Sequence, residues 1–314
     1  MKVVVQIPCA NEEKTLPLVL KSIPKKIPGV DEIITLIIDD GCTDKTVEVA
    51  RAHGVTEIVH HAKRRGLSKA FQHGVERALE LGADIVVNTD GDNQYPQERI
   101  TDLVQPIING EADIVIADRQ TSKIAHFSPF KKLLQRVGSQ VVNFAAGTDL
   151  PDAASGFRAY SRQSLMELNL ITTFSYCMET IIQAGNKRLA ISSIQVVTNK
   201  KTRESRLFKS TWEHVRKSGA AIIRAYIMYR PQMVFGAVGL VLFIAGLVPF
   251  ARFIYLTAAN DHTDGHLQSL ILGLALLTAS FLSFALNIIA DLIRINRTLI
   301  EQDLELNKKL RYRK

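Results

Sequence analysis

In the stretch VVNTDGDNQYP, residues 86–96, Asp90 and Asp92 stand one glycine apart at the end of an apolar, β-branched run, with Gln94 two residues on. Two carboxylates and an amide oxygen at that spacing are hard oxygen ligands of the kind Mg²⁺ or Mn²⁺ takes. Such ions keep coordination positions open for the phosphates of a substrate. Crowded carboxylates repel one another, so a cation is a natural companion. An isolated Asp-Gly-Asp also fits a polar turn after a strand; its company argues for chemistry. Acidic clusters end two earlier apolar runs as well, Asn11-Glu12-Glu13 after VVVQIP and Asp39-Asp40 after EIITLIID. Glu12 and Glu13 alone could serve a helix N-terminus, and Asp39 a turn. His60 and His61 read as surface or core histidines rather than ligands, and Cys42 as inert packing.

These groups need a frame that brings them together. Apolar runs at 3–8, 32–39, 56–61, 83–90 and 112–118 read as strands, and they alternate with helical patterns at 12–23, 43–54, 66–82 and 96–110. Strands apolar on both faces, separated by helices, predict an α/β fold with a mainly parallel sheet and helices on both faces. Ligands in such sheets bind beyond the carboxyl ends of the strands, where the acidic clusters fall. Farther on, the pattern predicts a helix at 130–147, a short strand at 156–161, a helix at 175–185 and a strand at 188–198.

The last third changes character. Pro231 to Ala251 and Leu267 to Ala290 carry no charge, and each has about the ~20 residues a helix needs to cross a bilayer. Two buried core helices are the alternative. The connecting TAANDHTDGH has no Lys or Arg, whereas basic residues crowd the outer flanks, among them Arg216, Lys217, Arg224, Arg230, Arg294, Arg297, Lys308 and Lys309. That bias predicts both termini and the first domain in the cytoplasm, with the short loop outside. Residues 210–230, with Trp212 and Tyr226 among basic residues, suit a helix lying on the membrane surface or an ordinary amphipathic one. The expected organisation is a cytoplasmic domain at 1–209, an interface helix at 210–230, a two-helix anchor at 231–292 and a basic C-terminal helix at 293–314. The net charge of +8 suits an anionic partner such as membrane lipid, nucleotide or nucleic acid. The three cysteines, Cys9, Cys42 and Cys177, form no disulfide or zinc pattern.

IPCANEE, IDDGCTDKT and NTDGDNQYP, followed by DAASGFRAYSR at 152–162, resemble the family 2 glycosyltransferases of the GT-A fold. With the terminal apolar helices they are most similar to the polyprenyl-phosphate glycosyltransferases, the group of the dolichol-phosphate mannosyltransferases. The resemblance covers residues 1 to about 210. It implies that Pro8, Ala10 and Glu12 form the first nucleotide-binding loop, although family members often carry an aromatic where Ala10 stands. It implies that Asp39 and Asp40 contact the nucleoside, and that Arg65 and Gly66 lie near the nucleotide. Asp90, Gly91, Asp92 and Gln94 match the metal-binding motif that bridges the donor diphosphate. Ser155, Gly156, Phe157 and Arg158 match the acceptor-side motif. Lys200, Lys201, Arg203 and Arg206 match a basic loop near the phosphates. Cofactors implied are Mg²⁺ or Mn²⁺ and a GDP- or UDP-linked sugar.

The implied reaction is one in-line displacement with inversion, a lipid phosphate oxygen attacking the anomeric carbon. A phosphate monoester is largely ionised at pH 7, its second pKa lying near ~6, so Asp152 is a candidate base that the chemistry does not require. Asp92 and Arg203 are the other expected catalytic groups. Two membrane helices are few for a polymer channel, and the family's Gln-x-x-Arg-Trp motif of polymer synthases is absent. The expected partners are therefore a nucleotide sugar, polyprenyl phosphate and an anionic membrane surface of plasma or endoplasmic-reticulum type, without nucleic acid. Self-association through the membrane helices is a further expectation. Three alternatives stay open: a transferase acting on another membrane lipid or glycan, a metal-dependent nucleotidyltransferase, and a membrane-anchored binding module.

Overall fold

KVVVQIPC, apolar at almost every position, forms β1 (Lys2–Cys9), buried on both faces. In the computed structural model, which describes residues 1–121, 129–170, 176–199, 227, 231–258 and 267–313, six further strands join it. They are β2 (Glu32–Asp39), β3 (Glu57–His60), β4 (Ile85–Asn88), β5 (Ile114–Asp118), β6 (Arg158–Ser161) and β7 (Ile191–Gln195). The sheet order is β3-β2-β1-β4-β6-β5-β7. All pairings are parallel except those of β6, which runs antiparallel between β4 and β5. From β1 the chain leaves toward β2 on one side, and β4 lies on the other, so the strand order reverses there. The crevice beyond the carboxyl ends of β1 and β4 is the place where such sheets bind ligands.

Helices α1 (Leu16–Ser22), α2 (Thr46–Ala52), α3 (Leu67–Glu80), α4 (Ile100–Ile108), α5 (Pro129–Ala146), α6 (Arg162–Glu167) and α7 (Tyr176–Asn186) accompany the sheet. The expected helix over 12–23 begins late, at Leu16; Glu12 and Glu13 before it donate their backbone N–H groups to Thr46 at the start of α2 and to Asp44 in the loop ahead of it. Pro17 then sits in the first turn, where its missing N–H costs nothing. Likewise, Gln97–Arg99 form a 3₁₀ turn before α4.

Helices α5 and α7 approach very closely. A Cβ built on Gly185 would lie 2.1 Å from the backbone oxygen of Ala146. Gly185→Ala must therefore move one backbone away from the other. We expect a loss of about 3 kcal/mol, read as a lowered urea midpoint with unchanged slope.

By contacts the chain forms two units, Met1–Ile223 together with Leu304–Lys314, and Arg224–Asp303. In the first, the C-terminal residues pack on the domain. Tyr312 is buried against Leu79 and Met166, Lys308 Nζ donates to the carbonyl of Leu168 at 2.7 Å, and Arg162 donates to the carbonyl of Tyr312. The second unit holds α8 (Pro231–Ala258) and most of α9 (Leu267–Arg311). Both are long and apolar enough to cross a membrane, and little of their apolar windows is buried, unlike core helices. Small residues let them touch: a Cβ on Gly246 would meet Leu277 at 2.9 Å, and Ser280 and Ser283 donate to the carbonyls of Gly239 and Phe235. The anchor's second helix and the expected separate helix at 293–314 are one continuous element. No Gly or Pro interrupts 274–311, and Asp291–Arg294, Arg297–Glu301 and Glu305–Lys309 pairs run along it.

Candidate active site

The first two strand ends are zipped to one another. Asn11, in a left-handed conformation (φ 62°), accepts from the backbone N–H of Thr43 at 2.8 Å, and the Glu12 N–H donates to Thr46 Oγ1 at 2.8 Å. Glu12 is buried, and its carboxylate accepts from Thr15 Oγ1. Asp39 Oδ1 accepts from the Cys42 N–H at 2.7 Å, and Oδ2 pairs with His60 Nδ1 at 2.6 Å. Burial would raise the Asp39 carboxyl, but the hydrogen bonds from Cys42 and His60 outweigh it and hold it below the ordinary range.

Asp40 holds the adjoining loop, accepting from the backbone N–H groups of Arg65 (2.7 Å) and Gly66 (2.9 Å) and pairing with His61 Nδ1 (2.9 Å). His61 is itself buried, and its Nε2 lies 2.7 Å from His73 Nδ1. Gly41 is required beneath this loop: its φ is +72°, and a Cβ would lie 2.7 Å from the Arg64 nitrogen. Asp39, Asp40 and the 65–66 loop are thus brought together as expected. His60 is a surface histidine and His61 a core one; each in addition pairs with one of the two aspartates.

Gly91 seats the Asp90–Asp92 turn on this assembly. A Cβ there would come within 3.1 Å of Cys9 Sγ and 3.2 Å of Glu12 Cγ. Asp92 accepts from the backbone N–H and the side-chain amide of Gln94, at 3.1 and 2.9 Å. The acceptor-side motif reaches the same place from β6. Gly156 donates its N–H to the Tyr95 hydroxyl at 3.1 Å, and its carbonyl accepts from Asn88 Nδ2 at 3.0 Å and from the Tyr176 hydroxyl at 3.3 Å. A Cβ on Gly156 would stand 3.6 Å from Asp90 Oδ2. Tyr95 stacks on Phe157, and burial pushes its hydroxyl, the acceptor of the Gly156 N–H, well up.

Two charged residues lie behind that motif. Asp152 is buried and bound at both oxygens by Arg119, at 2.6 and 2.9 Å. Burial would raise its carboxyl, yet the Arg119 guanidinium outweighs that and holds it below the usual range. Arg158 is 0% exposed. Its guanidinium donates to the carbonyls of Ser155, Cys177 and Ala153 and to Thr180 Oγ1. It lies beneath the motif, not on an open side facing a phosphate. Asn88 and Tyr95 stand inside the NTDGDNQYP motif but are not singled out by it, and Arg119 and Tyr176 carry no local signal, because each acts through partners distant in the chain.

Lys200, Lys201, Arg203 and Arg206 lie outside the described residues. Asn199 just before them donates its backbone N–H to Gln94 O at 2.9 Å and its side-chain amide to Asn93 O at 3.1 Å. Cys42 donates weakly to the Cys9 carbonyl. Burial, reinforced by Asp39, pushes its thiol up to about 12. Iodoacetamide should therefore label Cys42 at pH 8 on the order of a thousand-fold more slowly than a free cysteine, followed by mass spectrometry; rapid labelling would contradict this environment.

Among the described residues no three His, Cys, Asp or Glu side chains converge on one point. Asp90 and Asp92 are half-buried carboxylates on one turn, oxygen donors of the type that suits Mg²⁺ or Mn²⁺ completed by water and substrate phosphates rather than a closed protein cage.

Residues 4–168 match the family described as Glycosyl transferase family 2. A UDP-N-acetylglucosamine–dolichyl-phosphate N-acetylglucosaminyltransferase of Methanococcus voltae is 28% identical over 213 residues, covering 61% of this chain and 83% of that protein. An undecaprenyl-phosphate mannosyltransferase of Micrococcus luteus is 27% identical over 204 residues, covering 62% of this chain and 82% of that one. Among solved structures, glucosyl-3-phosphoglycerate synthase of Mycobacterium tuberculosis, bound to Mn²⁺, UDP and phosphoglyceric acid, superposes with a TM-score of 0.54 at 21% identity. That match covers 72% of this chain and 77% of the other, and it shows the shared fold.

Proposed function

The chain belongs to glycosyl transferase family 2, and from that membership we propose that it is a membrane-anchored, inverting hexosyltransferase. It moves a sugar from a GDP- or UDP-linked donor to a polyprenyl phosphate. One observation carries the reading: the Asp90–Asp92 turn seats Gly91 against Glu12 and brings Asp90 beside Gly156 beyond the carboxyl ends of β1 and β4, in a chain with two bilayer-length apolar helices. The named activities of the Methanococcus voltae and Micrococcus luteus relatives support the lipid acceptor.

In this reading the loops of Asp39, Asp40, Arg65 and Gly66 bind the nucleoside, their backbone fixed by the hydrogen bonds above. Pro8, Ala10 and Glu12 line the adjoining wall. Asp90, Asp92 and Gln94 would hold Mg²⁺ or Mn²⁺, which when bound neutralises charge on the departing diphosphate. The acceptor's phosphate oxygen forms a bond to the anomeric carbon as the bond from that carbon to the diphosphate oxygen breaks. That oxygen is already ionised near pH 7, the second phosphate proton leaving near ~6, so no side chain has to remove a proton. Asp152, bound to Arg119 through both oxygens, acts as a positioning residue for the 152–158 loop rather than as a base. Ser155 and Gly156, both buried, would shape the acceptor side from beneath, and Lys200, Arg203 and Arg206 would meet the phosphates. Positive charge on the flanks of the membrane helices supports a cytoplasmic catalytic domain and termini.

The test is the full chain in lipid nanodiscs with Mn²⁺, a panel of GDP- and UDP-sugars and polyprenyl phosphate, products identified by mass. A glycosyl phosphate lipid with released nucleoside diphosphate is expected. Sugar on another lipid or glycan, or release of pyrophosphate, would overturn the assignment.

A further inference from the structure

We propose that His60, rather than the carboxylate of Asp39, reads the nucleobase of the donor. Its Nε2 accepts the ring N–H that lies beside a carbonyl in uracil (N3–H) and in guanine (N1–H). The inference rests on the nucleotide-sugar reading above and names a specificity residue of that site. Burial keeps both aspartates from reading a base directly. The Asp39 side chain is 2% exposed; one oxygen accepts from the Cys42 N–H at 2.7 Å and the other pairs with His60 Nδ1 at 2.6 Å. Asp40 is buried too, and its two oxygens hold the Arg65 and Gly66 N–H groups and His61. A base reaching the end of β2 meets His60 before either carboxylate. β3 is the edge strand of the sheet, His60 stands opposite Asp39 in the register, and its side chain is 67% exposed.

Charge fixes what the ring offers. Asp39 is held below the ordinary carboxyl range by Cys42 and His60, so it is ionised at neutral pH. An ionised carboxylate only accepts, so His60 Nδ1 carries the proton that joins them. The neutral ring then presents a lone pair at Nε2, which no other described residue occupies. The short bond also pins the ring, whereas an ordinary surface histidine rotates freely. Asp39 thus orients and polarises, and His60 carries the acceptor role outward to where a base can reach it. Cytosine and adenine present a ring nitrogen lone pair in place of that N–H. Against His60 they would set lone pair to lone pair, which selects against them.

The full chain in nanodiscs with Mn²⁺ is titrated calorimetrically with UDP, GDP, CDP and ADP, and with 3-methyl-UDP and 1-methyl-GDP, in which a methyl group replaces the ring N–H. UDP or GDP should bind best, and whichever does identifies the base. Methylating that ligand should weaken its binding to the parent roughly tenfold, as for one hydrogen bond lost with its acceptor left unpaired. This arm needs no variant. His60→Ala should weaken the unmethylated ligand by a similar factor, and methylation should then cost little more. His60→Phe, which keeps a ring without nitrogen, should behave like the alanine variant. A parent that binds CDP or ADP best, or is indifferent to methylation, overturns the inference. So does a methylation penalty as large in His60→Ala as in the parent, or a phenylalanine variant that binds like the parent. Tighter binding by His60→Ala would mean that the ring gates access to Asp39, and would overturn it too. All of these leave the nucleotide-sugar reading standing. A parent that binds none of the diphosphates contradicts that reading and the inference together.

Discussion

Asp92→Asn lowers kcat/KM for sugar transfer by about a thousand-fold, the ~4 kcal/mol expected when an ion's charge at the leaving group is misplaced. The thermal midpoint stays close to that of the parent. The two outcomes separate because Asp92 plays two roles of unequal size. Structurally it accepts from the Gln94 N–H and side-chain amide in a half-buried turn. Asparagine keeps the shape and one acceptor oxygen, so the turn loses about 1 kcal/mol. Chemically it supplies half the negative charge of the only carboxylate pair that follows β4. Initial rates at saturating Mn²⁺, paired with scanning calorimetry, measure both quantities. Near-parental rates would remove Asp92 from the catalytic set; a collapsed midpoint would make the turn structural.

Arg158→Met fails differently. The wild-type guanidinium, 0% exposed, donates to three carbonyls and a hydroxyl drawn from the 153–155 loop and from α7. Methionine fills comparable space and leaves those acceptors without donors, at about 1–3 kcal/mol each. Their sum approaches the ~5–15 kcal/mol that holds a whole domain. Expected is a midpoint lowered by more than ~10 °C or no folded protein at all. Arg158→Lys should not rescue it, because a single ammonium cannot reach acceptors on both sides of a planar fork. If instead Arg158 served an acceptor phosphate, the methionine variant would be stable and inactive; that pairing would refute the buried role.

How much of this was readable beforehand follows from the range of each interaction. Strands β1, β2, β4 and β5 announced themselves because they are apolar on both faces, and their acidic ends marked the sheet's rim. The direction of β6 was not readable: a four-residue buried strand reads the same either way, and only its register against Ile85–Asn88 and Ile114–Ile116 fixes it. Arg119 meets Asp152 across 33 residues, and Asn88 meets Tyr176 across 88. No local pattern encodes such pairs. The histidine dyad is different, since β3 lies parallel beside β2 with Asp39 opposite His60. Two acids ending one strand and two histidines ending the next were a signal available in the sequence. The continuous α9 was readable too, from the missing helix breakers, but the apolar-to-charged change at Asp291 suggested a boundary. The packing of Tyr312 on Leu79 and Met166 could not be foreseen from a basic tail.

The central claim is that Asp90 and Asp92 hold a divalent ion against the donor's diphosphate. Electron paramagnetic resonance of Mn²⁺ tests it most directly, with the full chain in nanodiscs and a nucleoside diphosphate present. The parent should remove free Mn²⁺ signal to a single saturable site, and the Asp90→Asn, Asp92→Asn double variant, still folded by calorimetry, should remove none. Equal Mn²⁺ uptake by the two proteins would contradict the account.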